Sequence, residues 1–216
     1  MSYGELHSTE KTTPSIQEFV KQSVIAWKKL FDEIPTKEQI GILYAKYALE
    51  TGRGKNCFGN NIGNIKKFPN DSHKDGYQQL RGVWEIIGGK IVVFPPEHPQ
   101  SYFRWYPTLE AGIIDYMKLV SNGRYKKAWE ALLTGNPQLY AQKLKDCGYY
   151  TADVNEYVSG VKSIFNEVMR LDIYETVVST IEAEKENYTP IEWSKEPYEV
   201  PNALDFVNEL AEEDNS

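Results

Sequence analysis

The sequence is short of the residues that build metal centres and disulfide frameworks. Its 216 residues include only two cysteines and three histidines, so a cysteine-built zinc site, a multi-histidine metal centre and a set of several disulfides are excluded. No apolar run approaches the roughly 20 residues that cross a bilayer. The polar N-terminus also lacks the apolar segment of a conventional signal peptide. The sequence therefore predicts no metal site and no membrane insertion.

Aromatic residues, in contrast, are abundant. The chain contains 15 Tyr, 5 Trp and 8 Phe, within a globular composition of 41% hydrophobic and 25% charged residues. Its net charge of −7 is unevenly distributed, because residues 1–174 carry 22 Lys and Arg against 19 Asp and Glu, whereas residues 175–216 carry 2 against 12. An acidic tail of this kind repels nucleic acid, which is therefore not a predicted partner.

Hydrophobic periodicity and capping residues predict helices on both sides of a small β insertion. Capping patterns at Ser15 and Thr36 open the first two helices. Two β-rich runs joined by Gly88-Gly89 predict a hairpin, and four more predicted helices follow Pro107. The predicted fold class is α+β, mainly α.

The chain divides into a body and a tail. The body is predicted to span residues 1–174. Residues 175–216 form an acidic tail containing prolines, predicted to be extended apart from one short helix that begins at Asn202. Because the tail is too apolar for an inert tether, it is predicted to dock on its own body or on an assembly partner, away from the site of chemistry. A disordered solubilising tail is the alternative.

Glu50 is the residue whose position most favours a chemical role. It follows Tyr47 by three residues and Leu43 by seven, so it shares the apolar face of the second helix. A carboxylate there is costly unless it is paired or functional. Burial and the negative end of the helix dipole both favour the protonated acid, which suits a general acid. The alternative is an ion pair with Arg53 or Lys55 at a frayed helix end.

Other candidates depend more on context. Glu85 lies in the first strand of the hairpin and is either a solvent-facing residue or a second carboxylate across a cleft, as glycoside cleavage often requires. Aromatic residues cluster at 102–106 and 149–150. Such residues are either core or a stacking surface for sugar rings.

Five blocks of sequence, in order and in register from about residue 17 to 165, resemble the glucosaminidases of glycoside hydrolase family 73, the family of bacterial autolysins and flagellar muramidases. The blocks are Ala48-Leu-Glu-Thr-Gly-Arg-Gly, Asn61-Ile-Gly-Asn-Ile-Lys66, Phe103-Arg104-x-Tyr106 with Thr108-Leu-Glu-Ala-Gly, Arg124-Tyr125, and Tyr140-Ala-Gln-Lys-Leu-Lys-x-x-Gly-Tyr-Tyr-Thr151-Ala-Asp.

The resemblance implies a lysozyme-like fold in which a glycan groove separates a helical lobe from a small β-hairpin lobe. It implies that Glu50 is the general acid, that Glu85 is the second acid, and that Tyr149 or Tyr150 orients the acetamido group of the substrate. The remaining matched residues are expected to bind substrate: Asn61, Asn64, Lys66, Phe103 and Tyr106. No metal or organic cofactor is implied.

The function expected from this resemblance is peptidoglycan hydrolysis, with the glycan strands as partner and cleavage of the β-1,4 bond between N-acetylglucosamine and N-acetylmuramic acid. Such an enzyme acts in the periplasm or outside the cell. Because no signal peptide is visible, delivery by a phage or a virion is favoured. The alternatives are a lytic transglycosylase and a non-catalytic glycan-binding or virion structural protein. Cys57 and Cys147 are expected to border the cleft, which predicts a disulfide between them.

Overall fold

The computed structural model describes residues 3–69, 71–87, 90–150, 152–184 and 190–193. Helices dominate these ranges. In chain order they are α1 (Ile16–Phe31), α2 (Lys37–Thr51), α3 (Leu109–Ser121), α4 (Lys126–Leu133), α5 (Pro137–Asp146), α6 (Val154–Met169) and α7 (Ile173–Glu184). Two 3-10 turns are also present, Pro99–Ser101 and, just before α4, Gly123–Tyr125.

The strands between α2 and α3 form two antiparallel pairs. β1 (Tyr77–Gln79) pairs with β4 (Tyr102–Arg104). β2 (Val83–Ile87) pairs with β3 (Lys90–Phe94). The predicted hairpin and the α+β, mainly α class are therefore confirmed, although the Gly88-Gly89 turn lies outside the described residues.

The predicted capping residues begin the first two helices. The Ser15 hydroxyl accepts a hydrogen bond from the Glu18 amide at 3.0 Å. At α2, the Thr36 hydroxyl accepts from the Gln39 amide, and the Gln39 side chain accepts from the Thr36 amide at 2.8 Å. Each bond satisfies an amide that the first turn of a helix leaves unpaired. Local sequence thus fixes where α1 and α2 begin.

The core of the body is built around α2, of whose 15 residues ten are buried. α1 packs Phe19 on Tyr47, with ring centroids 4.6 Å apart, and α6 covers another side of the helix. Further out, Trp27 stacks on Trp129 of α4 at 5.0 Å. Many of the abundant aromatic residues therefore belong to the core. Because α2 is buried on nearly all sides, its last turn is held in a fixed position.

The body extends beyond the boundary predicted at residue 174. That residue lies inside α7, which packs on α1 and buries Val177 and Ile181. The start of the acidic region is therefore part of the helical body, because its apolar residues recur with helical spacing. The short helix predicted from Asn202 lies outside the described residues.

The described tail residues contact the end of α1. The Ile191 amide donates to the Lys29 carbonyl at 2.9 Å. Trp193 Nε1 donates to the Leu30 carbonyl at 3.2 Å, and its ring meets Phe31 edge-on at 6.1 Å. The docking predicted for the rest of the tail stays a prediction.

The predicted disulfide is not formed. Cys57 and Cys147 are both free thiols, the first buried and the second half-buried. Burial raises the pKa of Cys57 to about 12, so this thiol is uncharged at neutral pH.

Candidate active site

The end of α2 turns sharply and leaves Glu50 in the last helical turn. Gly52, Arg53 and Gly54 have φ of 57°, 60° and 86°, a left-handed run that ordinary residues adopt only at a cost. A β-carbon on Gly54 would lie 2.6 Å from the hydroxyl oxygen of Tyr47. The glycines of the Thr-Gly-Arg-Gly block are therefore required by the turn that follows the acid.

Glu50 is half-buried, and its carboxylate is held by a tyrosine. The Tyr157 hydroxyl of α6 donates to Glu50 Oε1 at 2.8 Å. Arg53 does not pair with Glu50, since its guanidinium binds the Glu167 carboxylate with distances of 3.0 and 2.6 Å. Among the described residues Lys55 forms no ion pair with Glu50 either. The alternative of a carboxylate neutralised at a frayed helix end is therefore wrong.

Tyrosine rings surround this carboxyl group. Burial raises the pKa of both Tyr149 and Tyr157, and the nearby Glu50 charge raises each further. Their hydroxyls therefore stay protonated and act as donors. Tyr157 stacks on Tyr150 with centroids 3.7 Å apart, and the Tyr150 hydroxyl donates to the Ala141 carbonyl at 3.0 Å.

Tyr149 connects this cluster to the segment that follows the sharp turn. Its hydroxyl donates to the Gly63 carbonyl at 3.0 Å. Both matched tyrosines therefore lie near Glu50, and in this structure both hydroxyls bond to backbone carbonyls. Their role toward an acetamido group stays a prediction.

The segment of residues 61–66 contacts both predicted acids. Asn64, at φ 49°, donates from Nδ2 to the Glu50 carbonyl at 3.4 Å. Two residues later, Lys66 Nζ lies 2.9 Å from Glu85 Oε1. Because two residues span at most about 7 Å, Glu50 and Glu85 flank one short stretch of chain.

Glu85 faces the body from β2. Lys66 Nζ donates to Glu85 and also to the carbonyl and the side-chain oxygen of Gln100, at 3.1 and 2.7 Å. Burial lowers the pKa of Lys66, while the Glu85 carboxylate opposes that shift. Glu85 is therefore an ion-paired residue on the inner face of the hairpin, whereas its neighbour Trp84 is 56% exposed. The interpretation of Glu85 as a freely solvated strand residue is wrong.

Three of the residues expected to bind substrate are buried. Asn61, Phe103 and Tyr106 have exposed fractions of 2%, 7% and 1%. Asn61 Nδ2 donates to the carbonyls of Ile65 and Arg104 at 2.8 and 3.0 Å, and thereby joins the 61–66 segment to β4. These side chains offer almost no surface to a glycan, so the structure assigns them to support of the site. Asn64 and Lys66 are the partly accessible members of the set.

The matched Phe-Arg-x-Tyr block supplies a buried polar network. Arg104 binds Asp71 and Asp115 at 3.1 and 2.8 Å, and the Tyr106 hydroxyl donates to Asp115 at 2.5 Å. Burial alone would raise the pKa of Asp115, but the Arg104 charge and these hydrogen bonds outweigh it and hold the pKa below its usual value. The network ties β4 to α3.

Two residues near Glu50 were not identified from the sequence. Tyr157 fits the apolar spacing of α6 as a core residue would, and nothing local links it to a residue 107 positions earlier. Lys46 lies one helical turn before Glu50 and is fully buried. The sequence does carry one indication for Lys46, because a lysine on the buried face of a helix is unusual.

The described ranges contain neither a candidate metal-binding cluster nor a candidate membrane-spanning helix. No group of three or more His, Cys, Asp or Glu residues there could hold a metal ion. No helix in those ranges is long and apolar enough to cross a bilayer.

Comparison with known proteins gives the family. Residues 35–170 match the model of the family Glucosaminidase, described as mannosyl-glycoprotein endo-beta-N-acetylglucosaminidase. One similar solved structure is a peptidoglycan hydrolase from Sphingomonas sp. A1, with 25% identity, 76% of this chain and 94% of that chain covered, and a TM-score of 0.47. Another is the glycoside hydrolase domain of FlgJ from Salmonella typhimurium, with 18% identity, coverage of 79% and 98%, and a TM-score of 0.47. No curated protein matches the sequence. Because the family model spans more than half of the chain, this protein belongs to the glucosaminidase family of glycoside hydrolases.

Proposed function

We propose that this glycoside hydrolase cleaves peptidoglycan at the β-1,4 bond between N-acetylglucosamine and N-acetylmuramic acid, with Glu50 as the general acid. The observation that carries the proposal is the environment of Glu50, a half-buried carboxyl group that accepts from Tyr157 and has no cation within ion-pair distance among the described residues. Such a group can hold a proton and release it to the leaving oxygen of a sugar.

The second step requires activation of water at the sugar carbon. Glu85 is the candidate base, and its pairing with Lys66 at 2.9 Å fixes its direction. The acetamido group of the substrate is the other candidate, and it would act within the sugar without a second carboxylate. Separation of the carboxyl groups by roughly 6.5–9.5 Å in the substrate complex would give inversion at the sugar carbon, and separation near 5 Å would give retention.

A lytic transglycosylase is the second candidate function, because that reaction also needs one acid. It differs in its product, since the sugar forms an internal 1,6-anhydro ring instead of reacting with water. Both reactions need a base, for the proton of water in hydrolysis and for that of the sugar's own 6-hydroxyl in ring closure, so the product distinguishes them.

The test is digestion of purified peptidoglycan followed by mass spectrometry of the soluble fragments. The proposal expects fragments that end in reducing N-acetylglucosamine. Reducing N-acetylmuramic acid would place the cleavage at the other glycosidic bond, and 1,6-anhydro ends would establish the transglycosylase. No fragments under any condition, from a protein shown to be folded, would support the non-catalytic alternative.

A further inference from the structure

Lys46 is a buried cation in the last turns of α2. Its side chain is 0% exposed, and its Nζ has no hydrogen-bond partner among the described residues. The Nζ lies 4.3 Å from the ring centroid of Tyr116 and 4.8 Å from that of Tyr149. Ring faces attract a cation, and the attraction is strongest where water is excluded. The two tyrosines thus partly offset the cost of burying this charge.

Glu50 is the carboxylate that acts on this ammonium group. Residues four apart on a helix are neighbours on one face. Burial lowers the pKa of Lys46 to about 8, and the charge of Glu50, followed by that of Cys57, opposes the shift. Because burial holds the Cys57 thiol uncharged at neutral pH, Glu50 is the neighbouring acid whose charge Lys46 can stabilise. Lys46 is therefore mostly protonated at neutral pH, close to the proposed acid without contacting it.

We propose that Lys46 is a positioning residue for catalysis, an internal cation that stabilises the negative charge left on Glu50 when its proton passes to the leaving oxygen. This inference rests on the proposed function of Glu50. The charge of Glu50 also acts on tyrosines of α5, of the segment after α5 and of α6, namely Tyr140, Tyr149, Tyr150 and Tyr157, while the nearby Arg53 is paired with Glu167. These phenols are neutral, so the positive charge acting on Glu50 from within this cluster belongs to Lys46.

Stabilisation of the Glu50 charge by a nearby cation has two opposite effects on activity. Glu50 donates its proton more readily, which raises the rate where it is protonated. It also loses that proton at lower pH, which moves the alkaline limb of the activity profile down. The cation therefore narrows the active pH range while raising the rate within it. Damage to packing alone would lower activity at every pH and leave the limb in place.

The test replaces Lys46 by methionine, which keeps the unbranched stem and removes the charge. We expect kcat/KM on peptidoglycan fragments at low pH to fall about 2–10-fold. The alkaline limb of the pH profile of kcat/KM should move to higher pH by about 0.5–2 units. This is the size of the Coulomb effect between charges roughly 6–8 Å apart at an effective dielectric constant of about 20–80. If Lys46→Met folds poorly, Lys46→Gln serves the same purpose.

The matched control is Lys37→Met on the same helix. Lys37 pairs with Glu175 and lies 13 residues before Glu50, about 20 Å along α2. It carries the same change in net charge, and its pH profile should equal that of the wild type. A shift of the same size in Lys37→Met would overturn the inference, because it would attribute the effect to overall charge.

Two measurements test the inference without activity. The first is a carbon-13 titration of the Glu50 carboxyl group, whose signal is identified because it is missing in Glu50→Gln. The midpoint of this titration should move to higher pH in Lys46→Met.

The second measurement is thermal stability as a function of pH. The folded state lowers the pKa of Lys46 from 10.5 to about 8, so the unfolded state binds more protons between these values and wild-type stability rises with pH there. Lys46→Met should be the more stable protein below pH 8, by a margin that shrinks above it.

The outcomes separate this inference from the proposed function. An unchanged alkaline limb and an unchanged carboxyl titration in a folded Lys46→Met protein would overturn the role of Lys46. A shifted carboxyl titration in a protein that cleaves no peptidoglycan would overturn the proposed function and leave the coupling between Lys46 and Glu50 intact.

Discussion

At the scale of single residues, the hydrogen bond between Tyr157 and Glu50 joins the proposed acid to a helix that begins more than 100 positions later. The bond does two things for a carboxyl group. It fixes the direction of Oε1, and it stabilises the charge that remains after the proton has left. The tyrosine is itself fixed by its stacking on Tyr150.

We expect Tyr157→Phe to lower kcat/KM about tenfold, because a hydrogen bond to a charged group is worth about 1.5 kcal/mol and this one strengthens as the proton leaves. The phenyl ring keeps the stack, so the unfolding temperature should change little. Tyr174→Phe is the control, since it removes a hydroxyl that bonds the Pro35 carbonyl at the other end of α2 and should keep near-normal activity. Equal losses in both variants would contradict the role given to Tyr157.

The residues of the site differ in how far sequence could place them. Glu50 was predictable because helical spacing puts it on an apolar face, which is a local property. Tyr157 was not, since its spacing fits a core residue equally well and its partner is distant in the chain. The burial of Asn61, Phe103 and Tyr106 was also hidden. A family motif identifies residues of a site, but it does not show whether a given residue contacts the substrate or only supports another residue that contacts it.

At the scale of elements, the β2–β3 hairpin presents two different faces. Its outer face exposes Trp84, Ile91 and Val93 by 56%, 69% and 63%. Its inner face carries Glu85, which is tied through Lys66 to Gln100 just before β4. One ion pair thus connects the hairpin to the 61–66 segment beside Glu50.

We expect Glu85→Gln to lower activity by about tenfold, which is less than the loss in Glu50→Gln. The loss should depend on the substrate, because the acetamido group can replace the Glu85 carboxylate. Lys66→Met should lower activity by a similar amount, since it removes the ion pair that orients the Glu85 carboxylate. The double variant should be no worse than either single one, because both remove the same interaction. Val93→Thr, on the outer face, is the control. Additive losses would show that Lys66 acts independently of Glu85.

The elements themselves were largely predictable where local rules set them. Capping residues located the starts of α1 and α2, and the two β-rich runs located the hairpin. The pairing of β1 with β4 was not predicted, because three-residue strands show no alternation and these two are joined only by long-range contact. α7 was missed because its acidic composition outweighed the spacing of Val177 and Ile181.

At the scale of the whole molecule, the described tail residues pack at the end of α1 that lies beside the start of α2. Tyr174 donates to the Pro35 carbonyl in the same region. The length of α2 separates this end from Glu50 by about 20 Å. Residues 190–193 can therefore stabilise the body without approaching the proposed site.

We expect a chain truncated after Glu184 to unfold at a temperature about 2–6 °C lower than one truncated after Trp193, because it loses a half-buried indole and two hydrogen bonds worth about 1–2 kcal/mol. Hydrolysis of soluble fragments should be equal in the two chains. Equal unfolding temperatures would show that the docked residues contribute no stability. Several-fold activation of the shorter chain would identify the segment as an inhibitory plug.

The measurement that tests the central claim most directly is the activity of Glu50→Gln on purified peptidoglycan, compared with wild type at matched folded concentration. Glutamine keeps the size of the side chain and can still accept from Tyr157, but its amide has no acidic proton to give to a leaving oxygen. The account predicts a loss of at least ~10²–10⁴-fold in kcat/KM with an unchanged unfolding temperature. Cleavage at near-wild-type rate by folded Glu50→Gln would contradict it.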